Sequence, residues 1–211
     1  MIHELRTYTF QPGALPTYLK AAETIGRPVR GNDYGVNHGY WTTEFGTLNQ
    51  IWHLWSYESL AERTRLRAEL SKNERWTQEF LPAIRPLMVR QDIRLLNPLV
   101  DIRPPDADGG VYELRTYRMH VGMAPAWTHL LKSYLPMRES YSKIVGLWAC
   151  EAPQPNEVVH MWNYPDVAAR LKARAAVSKD PAWQEFLGKG TQMIAEMHSV
   201  LLLPTNYSPM K

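Results

Sequence analysis

Cysteine is almost missing from this chain: its 211 residues hold one, Cys150. A lone thiol closes no internal disulfide and anchors no cysteine-based zinc site. Long apolar runs are missing too, since no stretch approaches the ~18 consecutive apolar residues of a bilayer-spanning helix. The opening MIHELRTYTF lacks the basic and apolar regions of a secretory signal, so the expectation is a cytoplasmic chain with no membrane span. Charge of one sign is not concentrated: 24 Lys+Arg stand against 21 Asp+Glu, for a formal +3. Interspersed as they are, these charges form no basic stripe for nucleic acid. No GxGxxG or GxxxxGKS/T segment is present to cradle phosphates, no serine sits in GxSxG, and there is no HExxH or His-x-His. Haem would need only one axial histidine, but nothing else in the sequence asks for it. Neither metal nor cofactor is therefore expected.

What is abundant is aromatic surface, with 8 Trp and 11 Tyr in a chain that is 45% hydrophobic. That is enough to close a core, which excludes disorder for most of the length. Much of the aromatic excess has one cause: the chain repeats itself. IHELRTY at 2–8 returns as VYELRTY at 111–117, and Gly13 and Pro16 return as Gly122 and Pro125. GYWTTEFGTLNQIWHLWSYESLAERTR from Gly39 answers GLWACEAPQPNEVVHMWNYPDVAARLK from Gly146, SKNERWTQEFL answers SKDPAWQEFL, and LLNP answers LLLP. Six tryptophans are three positions used twice, Trp41/Trp148, Trp55/Trp162 and Trp76/Trp183. Two repeats, 1–100 and 111–211, are expected, joined by a Pro/Gly/Asp-rich linker at 101–110.

Each repeat reads alike. Residues 2–10 and 111–119 alternate as a strand. A helix opens at Pro16, or at Pro125 in the second copy. Gly39–Glu44 and Asn49–Tyr57 form a hairpin. Glu58–Leu70 has helical spacing with Leu60, Leu66 and Leu70 facing inward, which leaves Arg63 and Arg67 (and Arg170 and Arg174) on a solvated face. Asn73–Met88 is a helix interrupted at Pro82 and Pro86, and Ile93–Leu96 is a closing strand. The order β-α-β-β-α-α-β is an α+β, ferredoxin-like unit with an extra helix. A sheet covered on one face leaves the other apolar and bare. The expectation is that the tandem ferredoxin-like repeats pair as an intramolecular barrel of the dimeric α+β kind.

The YELRTY segment with its following glycine and proline, GYW-T-x-E-x-G-x-x-N, and the NQIWHLWSYESLAER block resemble the NIPSNAP family over nearly the whole chain. The second copy departs at its hairpin, where EAPQPNE replaces EFGTLNQ. The resemblance implies a fold similar to the dimeric α+β barrel superfamily. That superfamily includes haem-degrading and cofactor-free monooxygenases, lactone isomerases and pure binding proteins, while NIPSNAP members have no agreed enzymatic activity and are discussed in trafficking and mitochondrial quality control. The family therefore speaks to the fold more than to a reaction.

Of 7 histidines, only His53 and His160 recur at equivalent points. Period-two alternation puts Asn49, His53, Trp55 and Tyr57 on one strand face, as it does Asn156, His160, Trp162 and Tyr164. An imidazole in an aromatic pocket suits acid/base work, so His53 and His160 are the catalytic candidates. The competing reading is a neutral histidine that closes the core. On the first strand Glu4, Arg6 and Tyr8, and Glu113, Arg115 and Tyr117, share a face. There a Glu–Arg pair either orients a polar ligand group or serves as a structural ion pair. Trp41 and Trp148, beside the hairpin, are candidates for core or cavity wall, and Trp76 and Trp183 are read as helix–sheet packing. The expected function is binding of a small aromatic or apolar ligand, with cofactor-free oxygenase or isomerase chemistry. The alternative is a non-enzymatic scaffold with a filled barrel. Homodimerisation of the tandem chain is a further expectation.

Overall fold

The computed structural model describes residues 1–106 and 109–211. Two residues of the expected linker, Ala107 and Asp108, lie outside the described residues. The chain divides into two compact units, Met1–Leu95 with Pro204–Lys211, and Leu96–Leu203. Each unit thus completes itself with residues from the end of the other repeat in sequence. In the first unit, Thr205 N–H donates to the Tyr40 carbonyl and the Tyr207 ring packs on Tyr40. In the second, Leu99 and Arg103 N–H donate to the carbonyls of Leu147 and Val145.

Strand β1 (Ile2–Phe10) opens the first unit and is followed by helix α1 (Leu15–Ala21). A π-helical turn, Ala22–Gly26, then leads into the short α2 (Arg27–Arg30). Strands β2 (Val36–Phe45) and β3 (Gln50–Tyr57) form the hairpin. Helix α3 (Leu60–Leu70) begins at Ser59, whose hydroxyl accepts from Glu62 N–H while the Glu62 carboxylate accepts from Glu58 N–H. A second π-helical turn, Arg75–Phe80, precedes α4 (Leu81–Ile84) and β4 (Met88–Pro98). In the sheet, β1 and β2 both pair antiparallel with β3.

The second unit repeats this with β5 (Val111–Met119), an uninterrupted α5 (Ala124–Arg138), β6 (Ile144–Ala152) and β7 (Glu157–Tyr164). Helices α6 (Val167–Val177) and α7 (Pro181–Gly190) follow, then β8 (Ile194–Pro204). Asp166 and Asp180 cap the two helices by accepting from Ala169 and Ala182 N–H. Its sheet order is β8-β5-β7-β6, all antiparallel. Among the described residues no helix is long and apolar enough to cross a membrane.

Both hairpins carry the same packing device. Gly39 and Gly146 sit where the register shifts by one residue, and the rings of Trp41 and Trp148 lie against them. A Cβ added at either glycine would fall within 2.2 Å of the indole. Glycine is needed here for close approach.

The structure bears out Leu66 and Leu70 on the inward face of α3 and corrects Leu60. Leu60, at the first turn, is exposed, and Leu70 is the one fully buried residue of the helix. The side facing the sheet carries Arg63, Arg67 and Leu70, an i, i+4, i+7 series. Arg63 and Arg67, expected in solvent, instead reach a buried carboxylate. Arg170 and Arg174 on α6 do the same.

Candidate functional site

The site begins with the register between the first and third strands of each unit. Arg6 stands opposite His53 and Glu4 opposite Trp55; in the second unit Arg115 stands opposite His160 and Glu113 opposite Trp162. Directly opposed residues of an antiparallel pair project to the same face, so carboxylate, guanidinium, imidazole and indole collect at one spot.

Glu4 is fully buried. Arg6 Nη1 donates to it at 2.8 Å, Arg63 Nε also bonds it, and Arg67 Nη1 stands at 4.0 Å. Burial alone would raise its pKa; the Arg6 guanidinium, joined by Arg63 and Arg67, overrides this and holds the carboxyl below its ordinary value. Glu113 takes Arg115 Nη1 at 2.8 Å, Arg170 Nη2 at 2.7 Å, Arg174 at 3.7 Å and the Ser199 hydroxyl at 2.8 Å. Against the burial penalty, Arg170, Arg115 and Arg174 bring it down to about 2.

The histidines are fixed by their neighbours. Trp55 Nε1 lies 2.6 Å from His53 Nδ1, and Trp162 Nε1 lies 2.7 Å from His160 Nδ1. An indole nitrogen only donates, so each Nδ1 must accept and the ring proton sits on Nε2. Both Nε2 atoms are buried without a hydrogen-bond partner. Burial first, and then the surrounding guanidiniums, holds both imidazoles well below the ordinary histidine value, so at neutral pH they are neutral N–H donors. Ring packing holds them in place. Tyr40 stacks on His53 at 5.1 Å, Tyr8 meets it edge-on at 4.8 Å, and Tyr117 meets His160 in the same way at 4.8 Å.

One more guanidinium completes each site, and the sequence reading passed over it. Arg30, at the end of α2, lies over the Trp55 ring at 3.3 Å from the centroid and donates to Tyr57 Oη at 2.9 Å. Arg138, at the end of α5, lies over Trp162 at 4.4 Å and donates to Ser142 Oγ at 2.6 Å. Both are buried, and among the described residues neither has a carboxylate within ion-pair reach. The available signal was the preceding proline, since Pro28-x-Arg30 answers Pro136-x-Arg138.

A cavity adjoins each constellation. The first holds about 270 Å³ and is lined by Arg6, Tyr8, Arg30, Tyr40, His53 and Arg67, with Tyr18, Trp76 and Phe80 from the helical layer. The second holds about 290 Å³ and is lined by Arg115, Tyr117, Arg138, His160, Trp162 and Arg174, with Trp127, Trp183 and Phe186. The remaining candidates do not line these walls. Trp55 supports the first cavity from behind, through His53 and Arg30, and Glu4 and Glu113 hold the arginines. Tyr57 accepts from Arg30, and Tyr164 donates to Glu113 at 3.4 Å. Trp41 and Trp148 pack on their glycines. Asn49, in a left-handed conformation, accepts from Phe10 N–H through its carbonyl, and the Asn156 side chain accepts from Gly122 N–H, so both shape turns at strand ends. Among the described residues no group of three His, Cys, Asp or Glu side chains is arranged to hold a metal ion.

The NIPSNAP family model matches residues 3–102 and again 112–209. Human NipSnap homolog 3A is 28% identical, covering all of this chain and 86% of that protein. The Dictyostelium discoideum NipSnap homolog is 28% identical over 96% of this chain and 87% of its own length. Among solved structures, an anthrone oxidase-like protein superposes with a TM-score of 0.69 at 11% identity, covering 100% of this chain and 94% of that one, a likeness of fold. With the family pattern met twice in succession, the chain belongs to the NIPSNAP family.

Proposed function

We propose that this chain binds a small aromatic or apolar molecule in the cavity of each unit, with His53 and His160 as the polar contacts. The observation that carries this reading is the pair of buried Nε2–H donors, each on a cavity wall and each without an acceptor. An unsatisfied buried donor costs ~1–3 kcal/mol, and the fold repeats that arrangement. A ligand oxygen would satisfy it. At about 270 and 290 Å³ both cavities fall just below the usual range for ligand sites, about 300–1,000 Å³, so the occupant is compact.

The same geometry shapes any reaction. With Nδ1 committed to tryptophan and Nε2 protonated, each histidine offers the acid half of an acid/base role and polarises a carbonyl or an oxyanion. Cofactor-free oxygenase or isomerase chemistry would draw on that donor, and the oxidase-like description of one fold relative is consistent with it. The cavities favour ligand binding over a filled scaffold.

The test is thermal shift with neutral aromatic probes: 2-acetylnaphthalene, menadione and indole. A ligand selective for the native state raises the melting temperature. At least one probe is expected to do so. His53→Asn and His160→Asn should each weaken binding at their own site by about fivefold, the worth of one hydrogen bond. No shift at millimolar concentration with any of these probes, nor with a carboxylate of the same size, would sink the proposal.

A further inference from the structure

We infer that the ligand is an anion, a compact aromatic carboxylate whose charged end lies beside the buried Arg30 in the first unit and Arg138 in the second. This rests on the cavity reading above and adds the charge class, which that reading leaves open.

The argument is a count of charges. Around the first cavity stand Arg6, Arg30, Arg63 and Arg67, with Glu4 as the buried carboxylate that pairs with three of them. Around the second stand Arg115, Arg138, Arg170 and Arg174, with Glu113 alone in that role. Four guanidiniums thus stand with one buried carboxylate in each unit, and Arg27 and Arg85 add to the lining of the first cavity. Arg67 and Arg174, with side chains 36% and 40% exposed, are partly solvated, whereas Arg30 and Arg138 are not. Arginine does not shed its charge by deprotonating, so the excess is permanent. Burying a cation without a counterion is among the more destabilising arrangements in a fold, and Arg30 and Arg138 are the two arginines so placed. Among the described residues no Asp or Glu lines either cavity.

Arg30 and Arg138 sharpen the point. Each is only 3–4% exposed, lines its cavity, and is held by an indole face and by neutral oxygens. Arg30 Nε has no partner at all. A cation held by quadrupoles and hydroxyls is positioned while its charge stays uncompensated. Beside it stands the histidine Nε2–H, which also wants an acceptor. One carboxylate supplies acceptor oxygens for both groups and one unit of negative charge. The rest of each wall is aromatic and aliphatic, including Trp76 and Phe80 in one unit and Trp183 and Phe186 in the other, which suits a flat apolar body.

Isothermal titration of the full chain with 2-naphthoate and with 2-acetylnaphthalene separates the possibilities, because the two differ chiefly in charge. The expected result is two sites per chain for the carboxylate, at least tenfold tighter than the ketone, with affinity falling as salt is raised. Arg30→Gln and Arg138→Gln should each lower carboxylate affinity at one site by at least tenfold more than they lower ketone affinity there. Should either variant fail to fold, Arg30→Lys and Arg138→Lys keep the charge and should retain a preference for the carboxylate at reduced affinity. Equal affinities, or tighter ketone binding, would overturn the anion inference and leave the cavity reading standing. If neither compound binds and the neutral probes also give no thermal shift, the cavity reading falls and takes this inference with it.

Discussion

The two units use the same strand residues but finish their helical layers differently. In the first, the helix after β1 passes through a π turn at Ala22–Gly26, and the later helical segment passes through another at Arg75–Phe80; α5 and α7 run without one. The sequences explain why. Between Pro16 and Pro28 the first repeat holds one residue more than the second does between Pro125 and Pro136, and RWTQEF has one more than AWQEF. A single residue inserted into a helix is absorbed as a π bulge, which keeps the flanking turns in phase. Phe80 and Phe186 therefore both reach their cavities despite the extra residue. The cavity walls diverge with the helices. The first adds Arg27, Arg85 and two tyrosines, Tyr18 and Tyr40, whereas the second puts Trp127 where Tyr18 stands and is the more apolar. Common strand chemistry with divergent walls points to one kind of ligand contact and two selectivities.

The largest effect expected from breaking this comparison is loss of the shared carboxylate. Glu4→Gln and Glu113→Gln each strip a buried partner from three arginines and should cost about 3–5 kcal/mol in urea denaturation. Near-silent variants would mean the cluster is solvated and carries little. Next come Gly39→Ala and Gly146→Ala. Each drives a methyl into an indole and should cost about 1–3 kcal/mol, alike in both units. A difference of more than twofold would show that one hairpin can give way and the other cannot.

Smaller, but diagnostic, is the pH profile. His53 and His160 are held well below the ordinary histidine value, so below pH ~6.5 the unfolded chain takes up protons that the folded chain refuses. Stability should therefore fall as pH drops from 7 towards 5, by about 1.4 kcal/mol per pH unit per excluded proton. His53→Asn and His160→Asn should each flatten the curve. The Glu113 contribution, with its carboxyl at about 2, is lost only further down, as pH falls from ~4.5 towards 2. The smallest effect is expected from deleting Thr77, the extra residue of the second π turn. Amide exchange should show regular helix across that segment, with stability changed by less than about 1 kcal/mol. Persistence of the π turn in the deletion variant would refute the insertion account.

How much of this could be read from the residues alone differs by layer. The strands were legible because they alternate with period two, and that same period placed Glu4 beside Arg6 and His53 beside Trp55 on shared faces. Internal repetition then singled out His53 and His160 from the other histidines. The helices were opaque where burial is not apolar. On α3 the sheet-facing residues are arginines, because a buried glutamate waits beneath them, while Leu60 points to solvent. Leu66 and Leu70 do turn inward, so a rule that sends charge outward misplaces Arg63 and Arg67 without inverting the helix. Arg30 and Arg138 were missed for a related reason. The one-residue insertion breaks the repeat offset just before them, so their equivalence shows only when the helices are aligned on Pro28 and Pro136.

The exchanged chain ends have a consequence for synthesis. On the ribosome the N-terminal repeat emerges first, yet the residues that cover Tyr40 and bond its backbone, Thr205 to Ser208, belong to the end of the second repeat and are made about a hundred residues later. The first-made unit must wait, with an aromatic flank uncovered, until Pro204–Lys211 has left the exit tunnel. The fold therefore sets a schedule in which a segment made about a hundred residues later closes the first-made unit. A nascent chain halted at the linker should present Tyr40 to solvent and to chaperones.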